Sequence, residues 1–278
     1  MKYKLIASDV DGTLNNDRFE ITPNNVAAIQ KALKHDIKFV LCSGRSPFSL
    51  HGYEEQLGLN TSGQYGIGFN GSTVYDAHTK EVLFGGKIEK DLARRILGLV
   101  IGIDPSVKLS VYLQGNHMIA EQVLEDILAG YNSDRAIQID YYPKLTPDLI
   151  TSDVLSLYCI EYRPKLDTLY KALLTETLDG CEMAFTSEHL LEFMPPEMNK
   201  AQGLTRLCKH LGIQMSEVVT VGDNYNDIEM IRAGGYGIAV SNAVQELKTV
   251  ADYVTKRSNN QDALEEVIEL VLELNKNM

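Results

Sequence analysis

Asp9-Val10-Asp11-Gly12-Thr13-Leu14 follows a short apolar run, Lys4 to Ser8, and puts two carboxylates two residues apart. Open α/β sheets gather their ligands at the carboxyl ends of strands. Both carboxylates can face one crevice there only if the chain curls after Asp9, which Gly12 permits. Their mutual repulsion must then be offset by a bound cation or by a proton on one of them. An isolated Asp-x-Asp is ordinarily an acidic turn. Asp-x-Asp-Gly-Thr has four fixed positions, and chance produces it in only about 0.5% of chains this long at average residue usage, so chemistry is the better account. Gly222-Asp223-Asn224-Tyr225-Asn226-Asp227 ends another apolar run with further carboxylates. Hard oxygen donors of this kind suit Mg²⁺, which keeps several waters and takes few protein ligands. Ser43-Gly44 closes a third run. A hydroxyl beside a flexible backbone N–H makes a phosphate cradle at a helix start, although the same pair is also a common turn and N-cap. Lys200 opens a predicted helix and alone would be a solvated charge; its meaning depends on its company.

The elements that must position these groups are legible at both ends of the chain. Lys4 to Ser8 and Lys38 to Leu41 read as buried parallel strands. Between them Thr22-Pro23 is a helix start, and Val26, Ile29 and Leu33 share one helical face, which makes a βαβ unit. The pattern returns with a strand at Glu217 to Val221, a helix through Ile228 and Ile231, a strand at Gly237 to Val240, and a last helix with Leu264, Val267, Ile268, Val271 and Leu272 on one face. The middle differs. It predicts a helix over Leu92 to Val100, strands at Lys108 to Leu113 and His117 to Ala120, and a helix at about Glu121 to Ala129. A strand at Asp153 to Tyr162, a helix at Leu166 to Thr175, and strands at Cys181 to Phe185 and Leu190 to Met194 follow. No glycine-rich strand ends occur there, so an α+β module, residues 85–189, is expected inside an α/β domain of residues 1–84 and 190–278.

Taken in order, Asp9-x-Asp11-Gly12-Thr13-Leu14, Ser43-Gly44-Arg45, Lys200 and Gly222-Asp223-x-x-Asn226-Asp227 resemble the motifs of the haloacid dehalogenase superfamily of phosphatases. The resemblance is to the Cof-type branch, in which a large α/β cap is inserted between the second and third motifs of a Rossmann-like core. Phe69-Asn70-Gly71 and Ile238-Ala239-Val240-Ser241-Asn242-Ala243 extend it over nearly the whole chain. Met198-Asn199 stands where the family often has Gly-Val, and Asp262-Ala263-Leu264 where it often has Asp-Gly-Val. The resemblance implies that Asp9 is the nucleophile and Asp11 the general acid and base. It also implies Mg²⁺ held by Asp9, Asp223 and the main-chain carbonyl of Asp11, with Asp227 orienting them, and phosphoryl oxygens gripped by Ser43, Gly44, Lys200 and Asn226. The implied activity is Mg²⁺-dependent hydrolysis of small phosphomonoesters, with sugar phosphates favoured. Two alternatives stay open: a phosphomutase using the same aspartates, and a non-enzymatic phosphate or Mg²⁺ sensor. Arg45 would either bind substrate or neutralise acidic neighbours.

The 278 residues, 44% hydrophobic and 23% charged with 8 prolines, exclude disordered and fibrous classes. A net charge of -12 without basic runs argues against nucleic-acid and anionic-membrane partners, and leaves a small phosphorylated substrate as the expected one. Oligomeric state is not legible. Cys42, Cys159, Cys181 and Cys208 form no paired motif and read as reduced core thiols. The six histidines show no ligand spacing. Tyr112, Tyr141, Tyr142, Tyr158 and Tyr162 are expected to pack in the core of the inserted module, with one or two suited to lining a sugar-sized pocket. No signal-peptide core and no 18-residue apolar window occur, which predicts a cytoplasmic protein.

Overall fold

The computed structural model describes residues 2–113, 117–122, 138–196 and 198–276. They form two compact units, Met1–Gly85 with Asn199–Met278, and Gly86–Met198. The return crossing thus falls at Met198–Asn199 and not at the expected residue 190, because the strand over Leu190–Met194 pairs inside the second unit.

Numbered along the whole chain, the first unit contributes β1 (Leu5–Ser8), β2 (Lys38–Cys42), β3 (Tyr65–Gly68), β4 (Thr73–Asp76), β5 (Val82–Gly85), β12 (Val218–Gly222), β13 (Tyr236–Ala239) and β14 (Tyr253–Val254). They make one sheet in the order β14-β13-β12-β1-β2-β3-β4-β5. β1 lies parallel between β2 and β12, with Leu5 opposite both Lys38 and Val218. Burial on both faces explains the unbroken apolar runs. Alternate residues serve opposite layers: Ile6, Phe39, Leu41, Val219 and Val221 enter one core, while Leu5, Ala7, Val40, Cys42 and Val218 enter the other. Helices α1 (Pro23–Lys34) and α8 (Ala263–Lys276) cover the first layer through Ile29, Ala32, Leu264, Val267 and Ile268. Helix α5 (Lys200–Leu211) covers the second through Leu204, Leu207 and Cys208. The Thr22 hydroxyl caps α1 by accepting from the Asn25 N–H, as Thr22-Pro23 predicted.

The second unit carries β6 (Lys108–Leu113), β7 (His117–Glu121), β8 (Gln138–Tyr142), β9 (Val154–Ile160), β10 (Glu182–Ser187) and β11 (Leu190–Met194) in the order β10-β11-β9-β6-β7-β8. Only β7 and β8 pair in parallel among these described strands. Helices α3 (Lys90–Ile103) and α4 (Arg163–Leu173) share a separate core with Leu109, Val111, Leu157, Cys159, Leu191 and Phe193. The helix expected at about 121–129 is corrected at its start, since Glu121 ends β7; residues 123–129 lie outside the described set. Tyr141 and Tyr162 are exposed instead of packed. All four cysteines are free and three are buried, while Cys181 is half-buried. Among the described residues no helix is long and apolar enough to cross a membrane.

Candidate active site

Asp9 leaves the end of β1 with its N–H still paired to Val221 of β12 at 2.9 Å. The chain then curls, with Leu14 and Asn15 N–H groups both donating to the Val10 carbonyl. Gly12 makes the curl possible in two ways. Its φ of +78° is left-handed, and a Cβ there would stand 2.5 Å from Asp223 Oδ2. Thr13 then donates its hydroxyl to Asp223 Oδ1 at 2.8 Å, and the Asn242 amide donates to the Gly12 carbonyl at 2.7 Å.

Lys200 is the first residue of α5, whose N-cap Asn199 accepts from the Gln202 N–H. Its side chain is fully buried, with Nζ 2.5 Å from Asp9 Oδ1 and 2.6 Å from Asp227 Oδ1. Asp227 is likewise buried, and its other oxygen accepts from the Asp223 and Asn224 N–H groups at 3.0 Å each. A Cβ at Gly222 would lie 2.5 Å from this side chain, so glycine at the end of β12 is a packing requirement.

The carboxylates of Asp9, Asp223 and Asp227 have oxygens within 4.8 Å of one another. Burial pushes Asp9 well above the usual carboxylate range, against the pull of Lys200 and with the charges of Asp227 and Asp223 adding to the rise. Burial also pushes Asp223 up to about 6, with Asp227 in support and the Thr13 hydroxyl opposing. Burial works against the Lys200 ammonium, but Asp227 and Asp9 more than offset it and hold it above its ordinary value. With Asp9 and Asp227 buried and Asp223 half-buried, full ionisation of the three carboxylates against one ammonium would carry two negative charges in excess. A divalent cation bound by hard oxygen donors offsets that excess, so these residues fit a metal of that kind.

Asp11 has other company. Both its oxygens are taken by Arg45, Nε at 2.6 Å and Nη2 at 2.8 Å, and the guanidinium lies over the rings of Phe19 and Tyr53. Arg45 is therefore the neutralising partner of an acidic neighbour. The sequence left that choice open because the bidentate fork joins residues 34 apart. Ser43 and Gly44 lie just beyond β2, where the Ser43 hydroxyl accepts from the Arg45 N–H at 3.1 Å. They do not open a helix, as had been expected; α2 (His51–Leu57) starts eight residues after Ser43. Asn226 sits in a single 3₁₀ turn, Tyr225–Asp227, and donates from Nδ2 to Asn70 Oδ1 at 3.0 Å. Asp9, Lys200 and Asp227, all buried, thus form one cluster with the half-buried Asp223, while Asp11 pairs with Arg45 and Asn226 with Asn70. Thr13 and Asn70 stand inside the motifs, and no local signal in the sequence marks their bonding roles.

A family model described as haloacid dehalogenase-like hydrolase matches residues 6–268. Phosphatase YwpJ of Bacillus subtilis is 28% identical, covering 91% of this chain and 94% of its own. The 5-amino-6-(5-phospho-D-ribitylamino)uracil phosphatase YwtE of the same organism is 25% identical over 97% of this chain and 98% of its own. Among solved structures, a haloacid dehalogenase-like hydrolase from Bacteroides thetaiotaomicron superposes with a TM-score of 0.87 at 27% identity, covering 97% of this chain and all of that one. The chain belongs to the haloacid dehalogenase-like hydrolase family, and within it stands among the phosphatases.

Proposed function

We propose that the chain hydrolyses small organic phosphomonoesters, sugar phosphates foremost, in two steps that pass through an aspartyl-phosphate on Asp9. The observation that carries this reading is the fully buried Lys200 bridging Asp9 and Asp227 beside Asp223. Such a cluster leaves a carboxylate oxygen fixed at a strand end with cationic charge against it, which is what an in-line attack on phosphorus requires. Mg²⁺ held by Asp9, Asp223 and the main-chain carbonyl of Asp11 would neutralise the charge that builds on the phosphoryl oxygens.

Asp9 attacks phosphorus while the phosphoryl oxygens are held by Lys200, Asn226, the Ser43 hydroxyl and the Gly44 N–H. Asp11 gives a proton to the departing alkoxide and in the second step takes one from the attacking water. Arg45 takes one acceptor site on each Asp11 oxygen and leaves a second lone pair on each for either partner. Asp227 keeps Lys200 and the Asp223 backbone in register. The second unit, Gly86–Met198, is assigned the selection of substrate. A relative named for a phosphorylated ribityl compound supports a small phosphorylated polyol as the substrate class.

A phosphate-release screen over sugar phosphates, nucleotides, pyridoxal phosphate and phospholipid headgroups, with and without Mg²⁺, tests the reading. Free phosphate from at least one small phosphomonoester, dependent on Mg²⁺ and abolished by Asp9→Asn, is expected. An isomeric phosphate without release would make the chain a mutase, and no turnover on any member would favour the sensor reading.

A further inference from the structure

The turn Phe69–Gly71, between β3 and β4, has no role in the chemistry above, yet its backbone needs a reason. Phe69 has φ +47° and Asn70 φ +52°, both left-handed, followed by Gly71 at +96°. A Cβ is crowded in this region, and two such residues in succession persist only where their surroundings over-determine them. Those surroundings are the site. The Phe69 N–H donates to the Arg45 carbonyl at 2.9 Å and the Asn70 N–H to the Ser43 carbonyl at 3.0 Å. Gly71 lies so close to the start of α5 that a Cβ would stand 2.0 Å from the Asn199 carbonyl oxygen and 2.9 Å from the Lys200 nitrogen.

The side chain of Asn70 continues the pattern. It is 6% exposed, and its Oδ1 accepts from Asn226 Nδ2 at 3.0 Å. Its amide also lies flat on Gly44, where a Cβ would meet Oδ1 at 3.1 Å and Nδ2 at 3.2 Å. Asn70 therefore touches Asn226 on one side and Gly44 on the other, the two segments that approach the phosphoryl group from different strand ends.

We propose that Asn70 is a positioning residue for the phosphoryl group, holding the Asn226 amide in one orientation at a fixed distance from Ser43–Gly44. The proposal rests on the reading of Asn226, Ser43 and Gly44 as phosphoryl-binding groups. A free asparagine amide presents its N–H₂ or its carbonyl with similar ease, and the carbonyl repels an anion. An acceptor that takes one Nδ2 hydrogen fixes the flip and leaves the second hydrogen for the anion, so the donors are organised before binding. Asparagine suits position 70 on both counts. It tolerates a left-handed backbone and carries the acceptor oxygen.

These two properties can be separated. Asn70→Gly keeps the turn, since glycine adopts φ +52° freely, but removes the acceptor. Calorimetric titration of the full-length protein with inorganic phosphate in Mg²⁺ should then show affinity about tenfold weaker, with the thermal midpoint within about 4 °C of the parent. Asn226→Ala should weaken phosphate similarly, and the double variant should be no worse than Asn226→Ala alone. Asn70→Asp keeps the backbone preference and an acceptor oxygen but sets a negative charge beside the anion. It should fold and bind phosphate more weakly than Asn70→Gly. Parent-like affinity in both Asn70 variants, with loss in Asn226→Ala, would overturn the positioning role alone, as would strictly additive losses. Parent-like affinity in Asn226→Ala would overturn the phosphoryl reading of Asn226 and the proposal with it.

Discussion

Lys200 shows how much a residue's surroundings add to its type. A helix-start lysine in a sequence reads as a solvated charge, and here the same lysine is fully buried between carboxylates, one of them 191 residues away. Removing an ammonium from water is costly unless acidic partners surround it, and Asp9 and Asp227 are those partners. The order of the motifs, through their resemblance to a known family, named the residues of the cluster. It could not name the pairs. Asp11 illustrates the limit: both its oxygens bind Arg45, 34 residues on, which no motif spacing announces. The division of labour proposed for the two aspartates yields a prediction. Asp11→Asn removes the proposed proton donor and acceptor but leaves Asp9 in place. Nitrophenolate departs without a proton, so the first step should be spared with an aryl phosphate, while the second step loses its base. Rapid quench should record a burst approaching one equivalent of nitrophenol per enzyme, then slow turnover. Asp9→Asn should give none; a burst from Asp9→Asn instead would reverse the two roles.

Strand ends and their turns carry the site, so the elements matter through where they stop. β1 and β12 are adjacent and parallel, which brings the Asp9 and Asp223 loops together from opposite ends of the sequence. The βαβ pattern made that adjacency legible, since continuous apolar runs such as Leu5–Ser8 and Val218–Gly222 belong in a sheet buried on both faces. What escaped were short elements whose composition opposes their state. Tyr65–Gly68 is a four-residue strand with two glycines, and tertiary pairing with β2 and β4 overrides its weak propensity. β3 was invisible for this reason, although it leads into the turn that reaches Ser43 and Lys200. The β1 turn offers a direct test of loop geometry. Gly12→Ala forces a Cβ to within 2.5 Å of Asp223 Oδ2 at a φ of +78°. The fold should survive with a loss on the order of 1–2 kcal/mol in chemical denaturation. Displacement of Asp223 should raise the Mg²⁺ concentration for half-maximal activity roughly tenfold. A stable variant with parent-like Mg²⁺ dependence would separate the turn from the metal.

The chain as a whole holds its chemistry and its second unit in different cores. Every buried residue of the sheet layers around β1 belongs to the first unit, whereas the cluster of Ile96, Val111, Leu157, Leu169 and Phe193 lies wholly in the second. The insertion was readable because strands without glycine-rich ends interrupt a βαβ pattern. Its return boundary was not, because Leu190–Met194 is an apolar run that would suit either sheet and only its antiparallel pairing with β9 and β10 assigns it. Independent cores predict that the second unit can be excised. Gly86 lies against Met198, where a Cβ would meet the Met198 Cε at 3.1 Å, so the chain leaves and returns at neighbouring points and a short glycine linker can replace residues 87–197. The shortened protein should retain near-UV circular dichroism and a cooperative melt, since no residue of its two core layers is removed. It should hydrolyse p-nitrophenyl phosphate, because Asp9, Asp11, Lys200 and Asp223 all remain. Its preferences among sugar phosphates should flatten if the excised unit selects substrate. A folded, active protein that keeps the parent ranking would place selection in the first unit, in side chains beside the cluster such as Tyr225, which is 61% exposed next to Asn226.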